Sequence, residues 1–167
     1  MFRNALLSAL FFLVGPGLEA GLGPYLLTSG FETGEAWDDA VVVRIAGALL
    51  IAAGLAVLLH AFARFARDGH GTPTPAAPTS RLVITGAYRH VRNPMYVATA
   101  AVIAGEGLLL SQPILLLGAA VYVATLAALV HLVEEPRLRE RFGERYDAYA
   151  RAVPGWLPRL RPSGRAR

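Results

Sequence analysis

The chain has 167 residues, of which 54% are hydrophobic and only 17% charged, against about 25% charged for soluble domains. Its mean hydropathy is +0.45, and its long apolar tracts point to a multi-span membrane protein rather than a globular domain. The net charge is +4, and all 16 basic residues are arginines clustered beside apolar tracts, so the expected partner is the membrane lipid headgroup and no nucleic acid. The absence of cysteine excludes disulfides, thiolate metal sites and cysteine nucleophiles. His60, His70, His90 and His131 are scattered without ligand spacing, and no metal site is expected.

Four apolar segments follow in chain order. The first, Ala5–Leu27, contains Gly15, Pro16, Gly17, Glu19, Gly21, Gly23 and Pro24, so a kinked span is expected rather than a cleaved signal peptide. The second, Ala40–Ala63, is uninterrupted and long enough to cross a bilayer. The third, Met95–Leu110, and the fourth, Ile114–Val133, are joined only by Ser111–Pro113, which forces an antiparallel helical hairpin.

The connections sort by charge. Thr28–Asp39 carries Glu32, Glu35, Asp38 and Asp39 without an arginine; Arg64–Asn93 carries five arginines, and the segment after Val133 carries nine. The positive-inside rule then places both termini and the second connection in the cytosol, a parity that four crossings satisfy. The Ala-, Gly- and Arg-rich composition fits a GC-rich genome, and a bacterial cytoplasmic membrane is the expected location. Gly69–Ser80, GHGTPTPAAPTS, has three prolines and reads as extended backbone, either a plain linker or a lid.

The segment EEPRLRERFGERYDAYARAVPGWLPR reads as a helix ending before Pro154. Leu138, Phe142, Tyr146, Tyr149 and Val153 form one apolar-aromatic stripe, with Arg137, Arg141 and Arg145 alongside. An amphipathic helix on the cytosolic face is expected, anchored by Trp156, with Gly143 marking close packing or a bend. The expected fold is therefore all-α: a polytopic membrane helical bundle of about four transmembrane helices plus a C-terminal cytosolic amphipathic helix. It forms one domain, with the first two spans in 1–68, a cytosolic loop in 69–93, the hairpin in 94–133 and the C-terminal helix and tail in 134–167.

The chemistry-bearing residues fall at two places. Glu134 and Glu135 sit where the fourth span leaves the apolar region; Arg139 is a local partner for Glu135, and Glu134 has none as obvious. The block YRHVRNPMY, Tyr88–Tyr96, opens the third span on the same side. The hairpin brings the two blocks together, and their combination of arginines, tyrosine hydroxyls and carboxylates suits a zwitterionic ligand. Ala98, Ala100, Ala101, Ala104 and Gly105 either let helices approach closely or leave room for a flat ring.

Together, GAYRHVRNPMY and EEPRLRERFGERYDAYARAVPGWLPR resemble the integral-membrane methyltransferases of the isoprenylcysteine carboxyl methyltransferase and phospholipid methyltransferase superfamily. The shared pattern is Tyr-x-x-x-Arg-His/Asn-Pro-x-Tyr, a helical hairpin, glutamate, Phe-Gly-x-x-Tyr-x-x-Tyr and a Val-Pro ending, covering about Gly69 to Pro158. The resemblance implies S-adenosyl-L-methionine as methyl donor, bound on the cytosolic side. Tyr88, Arg89, His90 and Val91 would then line the cleft, largely through backbone groups, with Arg92, Asn93 and Pro94 shaping the turn. Tyr96 would contact the cofactor, Ala101 through Ala104 would lie along its adenosine, and Glu134 would take its ammonium. Asn93 stands where many members have histidine, which excludes proton transfer by that position. Val130 stands where enzymes acting on prenylcysteine carboxylates carry arginine, which sets a carboxyl substrate in doubt.

The expected acceptor is a lipophilic small molecule or lipid entering from the bilayer: a phospholipid amine, a small thiol or another hydrophobic metabolite. An activated sulfonium methyl needs alignment and exclusion of water rather than a nucleophilic residue. Glu135, His131 and His90 are the candidate bases for an amine or hydroxyl acceptor. Glu19 and Glu106 lie within apolar segments and are given no catalytic role. The competing reading is a non-enzymatic membrane scaffold or transporter subunit whose arginines only anchor it.

Overall fold

A computed structural model describes residues 14–37, 39–68 and 82–161. The linker Gly69–Ser80 and the opening of the first apolar segment lie outside the described residues. Helix α1 covers 14–27, π-helical over Leu18–Leu22 and α-helical over Gly23–Leu27. Helix α2 is Val41–Asp68, and a short 3-10 turn at Gly86–Arg89 precedes α3, Pro94–Leu109. Helix α4, Pro113–Leu129, passes through a π turn, Val130–Glu134, into α5, Glu135–Phe142, and α6 is Glu144–Ala152. No strand occurs among the described residues, so the all-α expectation holds.

Of the four expected spans, two reach spanning length among the described residues. Val41–Arg64 and the continuous Pro113–Phe142 are long and apolar enough to cross a membrane, and only 17% of each apolar window is buried. That exposure separates them from core helices of a soluble protein, which turn such residues inward. Val42, Leu49, Leu117 and Val121 instead face outward. Helix α3 has 16 residues, about 24 Å of rise against a hydrocarbon thickness of about 30 Å. It is the central helix rather than a lipid-facing one, burying Ala98, Thr99, Ala100, Val102, Ile103, Gly105 and Gly107.

The α2–α3 pair is the most extensive helix contact, and small residues set its spacing. A Cβ on Gly47 would lie 2.6 Å from the Leu109 nitrogen and 2.7 Å from the Gly105 carbonyl oxygen. One on Gly54 would lie 2.9 Å from the Ala98 oxygen. The small residues of the third segment thus serve close helix approach on the α2 side.

The α3–α4 hairpin turns at Ser111, whose φ is +54°, and the acidic loop closes over it. Trp37 Nε1 donates to the Leu108 carbonyl at 2.8 Å, Gln112 Nε2 to the Glu32 carbonyl at 2.9 Å, and the Gly34 N–H to the Leu110 carbonyl at 2.7 Å. The Trp37 and Gly34 bonds satisfy carbonyls left over at the end of α3, and the Gln112 bond ties the loop's own Glu32 carbonyl to the hairpin.

At the opposite, arginine-rich end, the expected single amphipathic helix is broken into α5 and α6. Gly143 takes φ +54° and ψ −134°, a conformation essentially restricted to glycine. The apolar-aromatic stripe survives the break, but it faces protein and not a membrane surface. Tyr146, Tyr149 and Val153 form a buried cluster with Leu82, Ile84, Leu138 and Phe142 packed around it.

The glycine spacing predicts that Gly47→Val, which must push against backbone atoms, destabilises the fold by about 1–3 kcal/mol. Gly21, whose Cβ would meet nothing within 4 Å, is the control: Gly21→Ala is expected to be neutral or stabilising by up to about 1 kcal/mol. Thermal unfolding in detergent reads both.

Candidate functional site

The block before α3 is held in place by the segment after α6. The Arg92 N–H donates to the Pro154 carbonyl at 2.8 Å, and the Asn93 N–H to the Gly155 carbonyl at 3.3 Å. Asn93 Nδ2 donates to the same Gly155 oxygen at 3.1 Å. In return the Arg159 N–H reaches the His90 carbonyl at 3.0 Å, and His90 Nδ1–H donates to the Arg159 carbonyl at 2.8 Å. Asn93 thus works as a donor in a turn, a task that needs no titrating ring. The buried Tyr149 hydroxyl donates to the Tyr88 carbonyl at 2.8 Å. Within the 3-10 turn, the N–H groups of Tyr88, His90 and Val91 are engaged by the carbonyls of Thr85 and Ala87.

The two acids sit just across from this block because of a local distortion. Pro136 has no N–H for the Leu132 carbonyl, and its ring crowds that oxygen; the π turn at Val130–Glu134 is one way for a helix to absorb this. Pro24 stands in the same relation to the π turn at Leu18–Leu22. At the C-terminal distortion, Glu134 and Glu135 receive different partners. Glu135 is 7% exposed; its Oε1 meets Arg92 Nη2 at 2.9 Å and its Oε2 meets Arg139 Nη2 at 3.1 Å. Arg139 also reaches Asp147 at 3.3 Å. Glu134 Oε1 accepts a hydrogen bond from the Tyr96 hydroxyl at 2.7 Å. Among the described residues Glu134 forms no ion pair, so its charge is met only by a neutral hydroxyl.

The structure therefore joins the two sequence blocks directly, through Tyr96–Glu134 and Arg92–Glu135. The expected Arg139–Glu135 pair is present. Both Glu135 oxygens are occupied by guanidinium groups, which fits a positioning role better than that of a base. His131 is exposed on the π turn. Ala101 is half-buried, while Ala104 packs against the cluster of Ile103, Leu115 and Ala119 between α3 and α4. Trp156, expected as an interfacial anchor, lies nearly parallel to Tyr96, at 17° with ring centroids 6.3 Å apart. Sequence reasoning missed its place in the site; the signal available was the VPGW run directly after the tyrosine helix.

Burial pushes the phenols of Tyr88 and Tyr149 up from the ordinary tyrosine range; Tyr149 and Tyr96 add to the effect at Tyr88, while at Tyr149 Arg92 opposes it and Tyr146 adds to it.

A family model described as phospholipid methyltransferase matches residues 42–145, more than half of the chain. No curated protein and no solved structure matches. The matched stretch runs from α2 into α6 and includes Tyr96, Glu134 and Glu135; it excludes α1, Tyr149 and Trp156.

Removing a partner from a buried ion pair leaves the other charge uncompensated. Glu135→Ala is expected to destabilise the protein by about 3–5 kcal/mol, and Arg139→Ala, at a 44% exposed side chain, by less than about 1 kcal/mol. Denaturation in detergent separates them. A folded state that favours the protonated phenol binds more protons than the unfolded chain once pH exceeds about 10. The contribution of Tyr88 and Tyr149 to stability is thus complete below that pH and is lost as pH rises beyond it. Phenolate absorbance in an alkaline titration should show these two rings ionising late, together with unfolding.

Proposed function

The chain belongs to the phospholipid methyltransferase family, and from that premise we propose that it transfers the methyl group of S-adenosyl-L-methionine to a lipophilic acceptor at the cytosolic face of a membrane. The family is one of methyltransferases, and the two spanning-length helices with their exposed apolar surface make the chain a membrane protein. The single observation that carries the finer reading is Glu134. It is a carboxylate that meets a tyrosine hydroxyl at 2.7 Å and forms no ion pair among the described residues, beside an arginine–carboxylate pair already in balance. An ammonium is the complement such a group lacks.

These residues fit the cofactor. Glu134 takes the methionyl ammonium, and Tyr96 orients the carboxylate from the first turn of α3. Tyr88, Arg89, His90 and Val91 form the adjoining wall, Asn93 fixes its turn, and Ala101 leaves room beside the α3 backbone. Glu135 fixes Arg92, which in turn holds the loop at its register with Pro154. Bound there, S-adenosyl-L-methionine supplies an already activated sulfonium methyl, so the chain contributes alignment and exclusion of water. The arginine excess at this end of the bundle, opposite Glu32, Glu35 and Asp39, supports its cytosolic placement.

Purified protein in detergent is expected to bind S-adenosylhomocysteine, measured by calorimetry. Glu134→Gln and Tyr96→Phe should each weaken binding by about tenfold or more, as expected for loss of a charge-assisted hydrogen bond. Arg139→Ala should leave it within about twofold, since its exposed pairing contributes little. Membranes given the methyl-labelled cofactor should yield a labelled, lipid-soluble product. A wild-type protein that gives neither binding heat nor labelled product would overturn the assignment.

A further inference from the structure

Among the described residues, two carboxylates without an ion pair accept a hydrogen bond from a tyrosine, and only one of them has been given work. Glu134 accepts from Tyr96, and Glu19 accepts from Tyr122 at 2.8 Å. Each lies in one of the two π-helical stretches among the described residues, a distortion frequently found at functional sites. The two pairs are neighbours: both Glu19 and Glu134 lie within electrostatic reach of the Tyr96 hydroxyl, and Tyr96 within reach of Tyr122. One polar cluster therefore joins α1, α3 and α4 inside apolar surroundings. Among the described residues Glu19 has no ion pair, and a carboxylate so placed is costly unless a cation completes it. The same turn of α1 also lines empty space. Gly17, Ala20 and Gly21 face an open cavity of about 220 Å³, lined on its other side by Leu55 and Leu58 of α2 and by Val102 and Glu106 of α3.

We propose that Glu19, held by Tyr122, is the acceptor-side carboxylate: it receives the ammonium head of an amine-bearing lipid and takes its proton, while hydrocarbon of that lipid occupies the cavity beside α1. The inference rests on the methyltransferase reading above and adds the residues that meet the acceptor. Charge complementarity selects the class, since Glu134 is already matched to the cofactor's ammonium and the remaining carboxylate, Glu19, attracts an ammonium and repels a carboxylate acceptor. The step balances. The ammonium gives one proton to Glu19, and the freed nitrogen lone pair forms the N–C bond as the methyl–sulfur bond breaks with its electrons moving to sulfur. The proton then leaves Glu19 for water as the methylated ammonium departs. Glu19 lies outside the family-matched stretch and Tyr122 within it.

The test uses the full chain in phosphatidylcholine nanodiscs doped with phosphatidylethanolamine, with N-acetyl-S-farnesylcysteine as the anionic comparator. Three readouts are taken: S-adenosylhomocysteine affinity by calorimetry, the KM and kcat for each acceptor, and retention of phosphatidylethanolamine by native mass spectrometry. Glu19→Gln should hold S-adenosylhomocysteine affinity within about twofold, raise the phosphatidylethanolamine KM by about tenfold or more, and lose lipid retention, in line with removing a charged hydrogen-bond partner. Tyr122→Phe should move the same readouts less, and Glu19→Asp should restore part of them. Wild-type acceptor KM and retention in Glu19→Gln, with cofactor-product binding intact, would sink this inference and leave the methyltransferase reading standing. Preference for the farnesylcysteine carboxylate would sink it equally. No S-adenosylhomocysteine binding by the wild type would instead remove the parent reading. If Glu19→Gln does not fold, Tyr122→Phe decides by the same criteria.

Discussion

A carboxylate leaving an apolar helix must find compensation, and the neighbouring acids Glu134 and Glu135 find it in opposite ways. Glu135 is neutralised by two guanidinium groups, one from the loop before α3 and one from a helical turn further on. Among the described residues, Glu134 meets the uncharged Tyr96 hydroxyl and forms no ion pair. Because Arg92 and Tyr96 are four residues apart across the start of α3, satisfying both acids at once fixes how α3 enters the bundle relative to the end of α4. The structural pair and the reactive-looking one are therefore two outcomes of the same packing.

The rest of the bundle supports that alignment. Gly47 and Gly54 bring the α2 backbone almost onto that of α3, so α3 is pinned along its length and its first turn is not free to tilt away from Glu134. At the far end, Trp37, Gln112 and Gly34 bind the hairpin turn, holding the ends of α3 and α4 in register. Two prolines widen two helices at corresponding points, and each widening carries a glutamate toward a tyrosine of another helix. A substitution that removes the proline-linked distortion would rotate the acid without touching it.

Much of this was legible in the residues, and the reasons for the remainder are physical. Ser111–Pro113 leaves no alternative to a tight hairpin, and the hairpin alone brings the tyrosine block to the acids. The Glu135–Arg139 pair follows from a four-residue helical spacing, and Gly143 marked its own break. The short length of α3 was less legible, because a helix buried by its neighbours needs no lipid-matched length. The stripe of Tyr146, Tyr149 and Val153 has the pattern of a surface-lying helix, yet Leu82 and Ile84 supply the apolar cover instead; periodicity gives the face and not its occupant. The Tyr122–Glu19 bond links residues 103 positions apart and depends on rotation of α1 and α4 about their axes, which no local pattern records.

The clasp between His90–Asn93 and Pro154–Arg159 has a bearing on biogenesis. All of α2, α3, α4 and α5 emerge from the ribosome before Pro154 does, so the bundle can insert and pack while the loop ahead of α3 still lacks the backbone donors and acceptors it will use. Membrane insertion and completion of this clasp are thereby separate events in time, and a nascent chain closes it only after its hydrophobic helices have left the ribosome.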